Sequence, residues 1–328
     1  MDVGSGAAPP PFALDLSWGT SWPLYVVYPG SLIFFTALYF LGPHFWPRLA
    51  PYYKNMSPLN KACWRQNWNA MLHSTSVTIV LFVAILSDDV MRNERPLHPH
   101  HNLAAYIGVA ISAGYFTFTI PWSYRLYFCK GERHATNFAL CFHHAIVYLA
   151  AITYLIGRTC SLYGSIAFSA MEFTNWFFIP HILQQQARST RTKLWNANYV
   201  VLCVSFVGMR LVLCTWMLVL FSQDLSRFRS DDAGEWALVG MQYAIFAMAT
   251  LLSWVWLWQG IQDLGLLPML KRKLGGKVGP DKRTATSKRR LPAGGVKVKT
   301  PVKPAAKSAA VDSAPPYRMP EGGAGSQV

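Results

Sequence analysis

Charge is scarce in this chain. Asp, Glu, Lys and Arg make up 14% of its 328 residues, with 15 acids against 30 bases, while 52% of residues are hydrophobic and the mean hydropathy is +0.21. A membrane class therefore has to be tested before any soluble fold. Chemical motifs are scarce too. There is no G-x-S-x-G, no Walker sequence and no G-x-G-x-x-G, which removes the hydrolase elbow, the P-loop and the dinucleotide fold. The six cysteines form no C-x-x-C, and of them Cys160 alone lies near the side opposite the tail, so no structural disulfide is expected. Cys129, near a membrane boundary, reads as an inert thiol or a palmitoylation site. Di-iron desaturases need several spaced His boxes, and this chain has one bare His pair. His98, His100 and His101 around Pro99 read as a solvated turn rather than a metal site. No metal and no cofactor is implied. No internal repeat and no inverted pair of broken helices appears, which argues against a secondary transporter.

What the chain has in quantity is long apolar runs. About 20 mostly apolar residues cross about 30 Å of hydrocarbon. Seven such runs stand here, at 22–41, 67–86, 103–124, 135–157, 160–183, 195–221 and 236–259. The expected fold class is all-α, a polytopic bundle of about seven transmembrane helices with a disordered basic tail. Pro29 and Pro121 fall inside spans and Pro180 near the end of one, as kinks that neighbouring helices accommodate. The first run lacks a basic n-region and an A-x-A-like site, so it reads as a retained helix.

Loop charge alternates. Arg48, Lys54, Lys61 and Arg65 precede the second span, Arg125, Lys130 and Arg133 follow the third, and Arg188, Arg191 and Lys193 follow the fifth. The intervening loops hold less, with Arg92 and Arg95, then Arg158, then Arg227 and Arg229. The positive-inside rule predicts a lumenal amino terminus and a cytosolic carboxyl terminus. The chain divides into a lumenal segment 1–21, a first helix and cytosolic loop 22–64, a transmembrane domain 65–262 and a tail 263–328. The tail carries most of the net charge of +15 and too few large apolar residues to fold alone. It reads as a solvated topogenic segment or as one held by anionic lipid headgroups. Without interleaved aromatics it does not suggest nucleic acid.

Ionisable residues at depth are few. Glu172 and Arg210 are the isolated charges within spans, joined by His73, His143 and His144. A charge at a helix centre costs about 2.5 to 3.5 kcal/mol on insertion scales, so by default it marks a site or a partner. Helical spacing aligns Gln66, Asn69, His73 and Ser76 on one span, Asn137, Cys141, His144 and Tyr148 on another, and Ser165, Ser169, Glu172 and Asn175 on a third. Three polar stripes should face one another rather than lipid. At 1.5 Å per residue, His144 lies roughly 13 Å and Glu172 roughly 16 Å from the cytosolic face, so they are expected to line one cavity. His143 points about 100° away, so one of the pair is expected to line the cavity while the other packs against a neighbour. Arg210, at roughly 22 Å, either snorkels or joins the cavity. His73 reads equally as packing or as function.

The order of WNAMLHS (Trp68–Ser74), the CFHHA pair with His143 and His144, MEFTN (Met171–Asn175) and FVGMR (Phe206–Arg210) resembles the TLC family, named for TRAM, LAG1 and CLN8 homology, over residues 65–262. Within that family, ceramide synthases join an acyl group from acyl-CoA to a sphingoid amine, and spaced aspartates follow their His pair. From His144 to Gln186 this chain has no Asp and one acid, Glu172, and Ile120, Pro121 and Trp122 stand where many relatives carry an acid. The resemblance is closer to the TLC-domain-containing branch linked to phospholipid composition. It implies an endoplasmic reticulum or other endomembrane protein of lipid homeostasis, sensing, binding or trafficking lipid in a cavity formed by His73, His144, Tyr148, Glu172, Asn175 and Arg210. The alternative is a ceramide synthase-like N-acyltransferase, with His143 or His144 as base or acyl acceptor oriented by Glu172 and with acyl-CoA as partner.

Overall fold

A computed structural model describes residues 18–87, 96–99, 102–125, 138–187 and 192–263. Arg92, Arg95, His100, His101, Cys129, Lys130, Arg133, Asn137, Arg188, Arg191 and the tail lie outside the described residues. Within them the fold is helical throughout and contains no strand. The long helices are α1 (Gly19–Leu49), α2 (Pro58–Leu86) and α3 (Leu103–Tyr124), α4 (Phe138–Gly157) and α5 (Ser161–Gln186), then α6 (Lys193–Arg227) and α7 (Ala233–Asp263).

Each boundary has a local cause. Ser57 accepts from the Asn60 N–H at 3.2 Å ahead of Pro58, which opens α2, and Asn102 accepts from the Ala105 N–H at 2.9 Å to start α3. Thr192 caps α6 by accepting from the Trp195 N–H at 3.0 Å. Caps of this kind are worth about 1 kcal/mol each. Between α4 and α5 the chain turns through residues 158–160, where Arg158 and Cys160 sit in left-handed backbone at φ 55° and 58°. Two helices carry π-helical turns, Pro23–Val27 in α1 and Phe206–Leu213 in α6. The first ends where Tyr28 donates its N–H back to the Pro23 carbonyl, one residue before Pro29 interrupts the ladder.

The helix contacts close a ring. Going round it, α2 packs on α3, α3 on α4, α4 on α7, α7 on α6, α6 on α5, and α5 back on α2. Helix α1 lies outside, against α2 and α3. Gly114 makes that docking close: a Cβ there would stand 2.6 Å from the Tyr28 carbonyl oxygen and 2.9 Å from the Leu32 nitrogen, backbone atoms that cannot rotate away. Asn69 adds a bond of 2.8 Å to the Phe35 carbonyl, and Tyr28 shares one of 3.1 Å with Thr117.

Six helices combine the length and hydropathy needed to cross a bilayer. The seventh, α5, is long enough at 26 residues but carries Glu172, Asn175, His181 and three glutamines. Its place in the ring explains the composition, because Glu172 and Gln186 meet Ser74 and Asn67 on α2 while Thr174 and His181 meet Arg210 and Trp195 on α6 rather than lipid. Outward positions such as Ile33, Phe34, Phe82, Val83, Val204, Val212 and Leu251 are exposed and apolar, as a lipid-facing surface requires.

Candidate functional site

Glu172 lies at the centre of a buried polar cluster inside the ring. Its Oε2 accepts from the Ser74 hydroxyl at 2.5 Å and from the Asn175 amide at 2.9 Å, and His73 Nδ1 stands 3.6 Å away. Asn175 also donates to the Ser74 Oγ at 3.2 Å, which closes a triangle between α2 and α5. His73 is fixed on its other sides. Its Nε2 shares a contact of 3.2 Å with Ser112 Oγ on α3, and its ring stacks on Tyr115 with centroids 4.1 Å apart and planes 11° apart.

Arg210 enters the cluster from α6, where it is 5% exposed. It donates to Thr174 Oγ1 at 2.6 Å, to the Met171 carbonyl at 2.8 Å and to Asn175 Oδ1 at 3.2 Å. The π-helical turn aims it there: each wide turn re-phases the side chains and advances less along the axis per residue than an α-turn does. Three acceptors offset part of the several kcal/mol that burying a guanidinium costs. Arg210 does not snorkel.

Beside this cluster runs a narrow cavity of about 50 Å³, bounded by α4, α5, α6 and α7. At about 10–15 Å³ per water it has room for about three to five water-sized centres. Its walls are mostly apolar, including Val147, Ala167, Phe168, Ile245, Phe246 and Ala249. Glu172 and His143 border one end; Cys160 and Tyr163 border it about two and a half turns or more along α5, at 1.5 Å per residue. Gly164 widens it, since a Cβ added there would meet nothing within 4 Å. Tyr163 is held at its end by a short hydrogen bond to Asp224 and by stacking on Phe221 at 4.6 Å. On the α7 wall Gln242 donates to the Ala150 carbonyl at 3.0 Å and to Thr153 Oγ1 at 2.5 Å.

The structure thus separates the sequence-derived candidates. Glu172, His73, Asn175 and Arg210 form one cluster, but of these Glu172 alone borders the cavity. Of the two histidines, His143 lines it and His144 does not, the reverse of the expected arrangement. The reason is topological. The α2, α4 and α5 stripes were expected to enclose one polar interior; α5 packs its polar groups directly on α2 instead, and the cavity separates it from α4. His144 turns instead toward α3, with its ring 5.4 Å from Phe116, and Tyr148 packs on the same side. His143 meets Trp256 edge-on at 5.0 Å, and Arg210 stands 5.8 Å from the same indole. The Nδ1 atoms of both histidines are buried without a hydrogen-bond partner.

Ser112 and Gln242 were not singled out in the sequence, and Ser74 and Thr174 entered only as members of WNAMLHS and MEFTN, without a role of their own. All four are neutral, so none stands out at depth as a charge does. Among the described residues, no group of three His, Cys, Asp or Glu side chains is placed to hold a metal ion.

Compared with known proteins, residues 64–262 match the family model of the TLC domain, the TRAM, LAG1 and CLN8 homology region. That span starts within α2 and takes in the whole remainder of the ring, leaving α1 outside. No curated protein sequence and no solved structure matches the chain.

Proposed function

The chain belongs to the TLC-domain family, and we propose that it is a lipid-binding member acting in membrane lipid homeostasis, with one acyl chain held in the ring cavity and its polar end at Glu172 and His143. The observation that carries this reading is the cavity itself. It is long, thin and apolar along its walls, and it ends on a carboxylate fixed from two sides. A binding protein needs that combination, an apolar channel with a few placed polar groups.

The hydrogen bonding favours binding over acyl transfer. A nucleophilic or general-base histidine is ordinarily oriented by a third group within about 2.6–3.2 Å. His143 Nδ1 and His144 Nδ1 have no such partner, and Glu172 is engaged with Ser74 and Asn175 instead. The branch of the family without an acyltransferase centre suits this pattern. A second reading, a ceramide synthase-like N-acyltransferase, is favoured by one observation, that His143 and Glu172 border the same cavity. In that reading acyl-CoA would thread its chain into the cavity.

We propose the endoplasmic reticulum or another endomembrane as its location, on the family resemblance, with the amino terminus lumenal and the carboxyl terminus cytosolic, on the loop charges. Purified full-length protein supplied with acyl-CoA and a sphingoid base decides between the readings. Lipid retained in the purified protein with no amide product supports lipid binding. Amide product that disappears in both His143→Ala and Glu172→Gln replaces it with acyl transfer.

A further inference from the structure

A second concave site lies outside the ring. A groove of about 440 Å³ runs between the end of α1, the 3-10 turn Pro51–Asn55 and the first two turns of α2, lined by Pro43, Pro47, Tyr53, Lys54, Pro58, Lys61 and Arg65. Six of these seven residues precede residue 64, where the TLC match begins, so the groove is built mostly outside the matched span, from α1, its connection and the first turns of α2.

Its charge is of one sign. Lys61 and Arg65 are four residues apart on α2 and so stand on one face as like charges, an arrangement that is unfavourable on its own. Lys54 joins them from the 3-10 turn. Among the described residues none of the three forms an ion pair with a carboxylate. No acid stands in the first turn of α2, whose positive dipole end adds to the same field.

The cations are also positioned. The Arg65 stem lies against Gly42, where an added Cβ would come within 2.8 Å of its Cδ, and its guanidinium lies over the Tyr39 ring at 4.4 Å. Nη2 reaches the Tyr39 hydroxyl at 3.4 Å, while the buried Nε has no acceptor. Lys61 rests over Tyr53 with Nζ 5.7 Å from the ring centroid. Two cations held on aromatic faces, with donors to spare and no carboxylate of the protein, fit an oxyanion better than a neutral headgroup. Around the groove, Leu49 at 70% and Tyr52 at 40% exposure give an apolar border at the end of a spanning helix. Cations beside the end of a spanning helix are where lipid headgroups would stand.

We propose that this groove is a phosphate-binding site at the membrane surface, occupied by the phosphate of an anionic lipid headgroup or of a soluble phosphate ester. Full-length protein is purified in detergent with phosphatidic acid, and bound lipid is counted by native mass spectrometry. Wild type is expected to retain phosphatidic acid well above phosphatidylcholine, and Lys54→Gln/Lys61→Gln to lose that retention about tenfold or more, with phosphatidylcholine unchanged. The double variant leaves Arg65 on Tyr39, so the packing survives; its melting temperature is checked against wild type. In a parallel variant, Lys288, Arg289 and Arg290 of the tail become Gln, and retention is expected to stay at the wild-type level. Glycerol phosphate in excess separates the sources: displacement of the lipid assigns the site to phosphate esters in general, and persistence assigns it to lipid. Unchanged phosphatidic acid retention in Lys54→Gln/Lys61→Gln, or loss confined to the tail variant, overturns the proposal.

Discussion

Glu172 and Arg210 are joined through Asn175 rather than paired directly. The Asn175 amide nitrogen donates to Glu172 Oε2 at 2.9 Å, and its carbonyl oxygen accepts from Arg210 Nη2 at 3.2 Å. One neutral side chain thus relays between the buried acid and the buried base, and it leaves the carboxylate next to the cavity instead of capped by a guanidinium. Removing the relay leaves two charges each short of a bond. Asn175→Ala is expected to destabilise the protein by about 2–4 kcal/mol, read as a lower melting temperature in detergent. A shift no larger than that of a surface substitution would show that the acid and the base do not depend on Asn175.

Two serines on α2 are expected to behave differently although they are two residues apart. Ser74 donates across the helix interface to Glu172, whereas Ser76 bonds back to the Leu72 and His73 carbonyls of its own helix at 2.9 and 3.0 Å. Ser74→Ala should cost about 1–3 kcal/mol by leaving a buried carboxylate short of a donor, and Ser76→Ala should stay within about 0.5 kcal/mol of wild type. Melting temperatures of the two variants in the same detergent give the comparison. Equal effects would contradict the assigned bond.

The same pair shows how far the sequence reached. Its 3.6-residue period correctly marks Asn69 and His73 as buried and Glu172 with Asn175 as facing protein, because apolar surroundings make a polar stripe conspicuous. It points to Ser76 rather than Ser74, because a helix enclosed by α1, α3 and α5 buries more than one stripe, and a serine among other small residues gives no contrast. The assignment of His144 to the cavity went wrong for a related reason. Consecutive spans joined by a short turn are ordinary neighbours, and nothing in the sequence says that α5 prefers α2 to α4. The sequence leaves Arg210 between snorkelling and the cluster because a regular helical period cannot anticipate the π-helical turn at Phe206–Leu213, which re-phases the side chains that follow.

The histidines can be told apart by binding. His143 borders the cavity and His144 faces Phe116, so His143→Ala is expected to weaken lipid retention about five- to tenfold, the scale of one polar contact. His144→Ala should bind normally and instead lower the melting temperature. Glu172→Gln keeps the shape and an acceptor oxygen; it should accumulate normally, and expressed in cells lacking the protein it should fail to correct the lipid profile. Native mass spectrometry of the purified variants, with lipid analysis of those cells, reads all three. Stronger loss of lipid from His144→Ala than from His143→Ala would reverse the assignment of the cavity wall.

Orientation has its own test. The loop charges predict that protease added to sealed microsomes removes residues beyond Lys271, while the ring stays protected. Deleting the chain after Gly275 should leave insertion and assembly intact and weaken only salt-sensitive contacts with anionic membranes. A tail shielded until detergent is added would reverse the orientation.

The cavity as a lipid site is tested most directly at Gly164, which borders it, faces open space and makes none of the bonds that hold the Glu172 cluster. Gly164→Leu fills the cavity from the first turn of α5, where leucine in place of glycine should stabilise the helix by a fraction of about 1 kcal/mol. The measurement is photocrosslinking of full-length protein in membranes with a lipid bearing a diazirine in its acyl chain, followed by peptide mapping. Wild type is predicted to label on α4, α5 and α7 around Val147, Phe168 and Phe246, and Gly164→Leu to lose that labelling while keeping its melting temperature and its labelling on the outer surface. Undiminished labelling of those interior positions in Gly164→Leu, or wild-type labelling confined to the outer surface, would contradict the account.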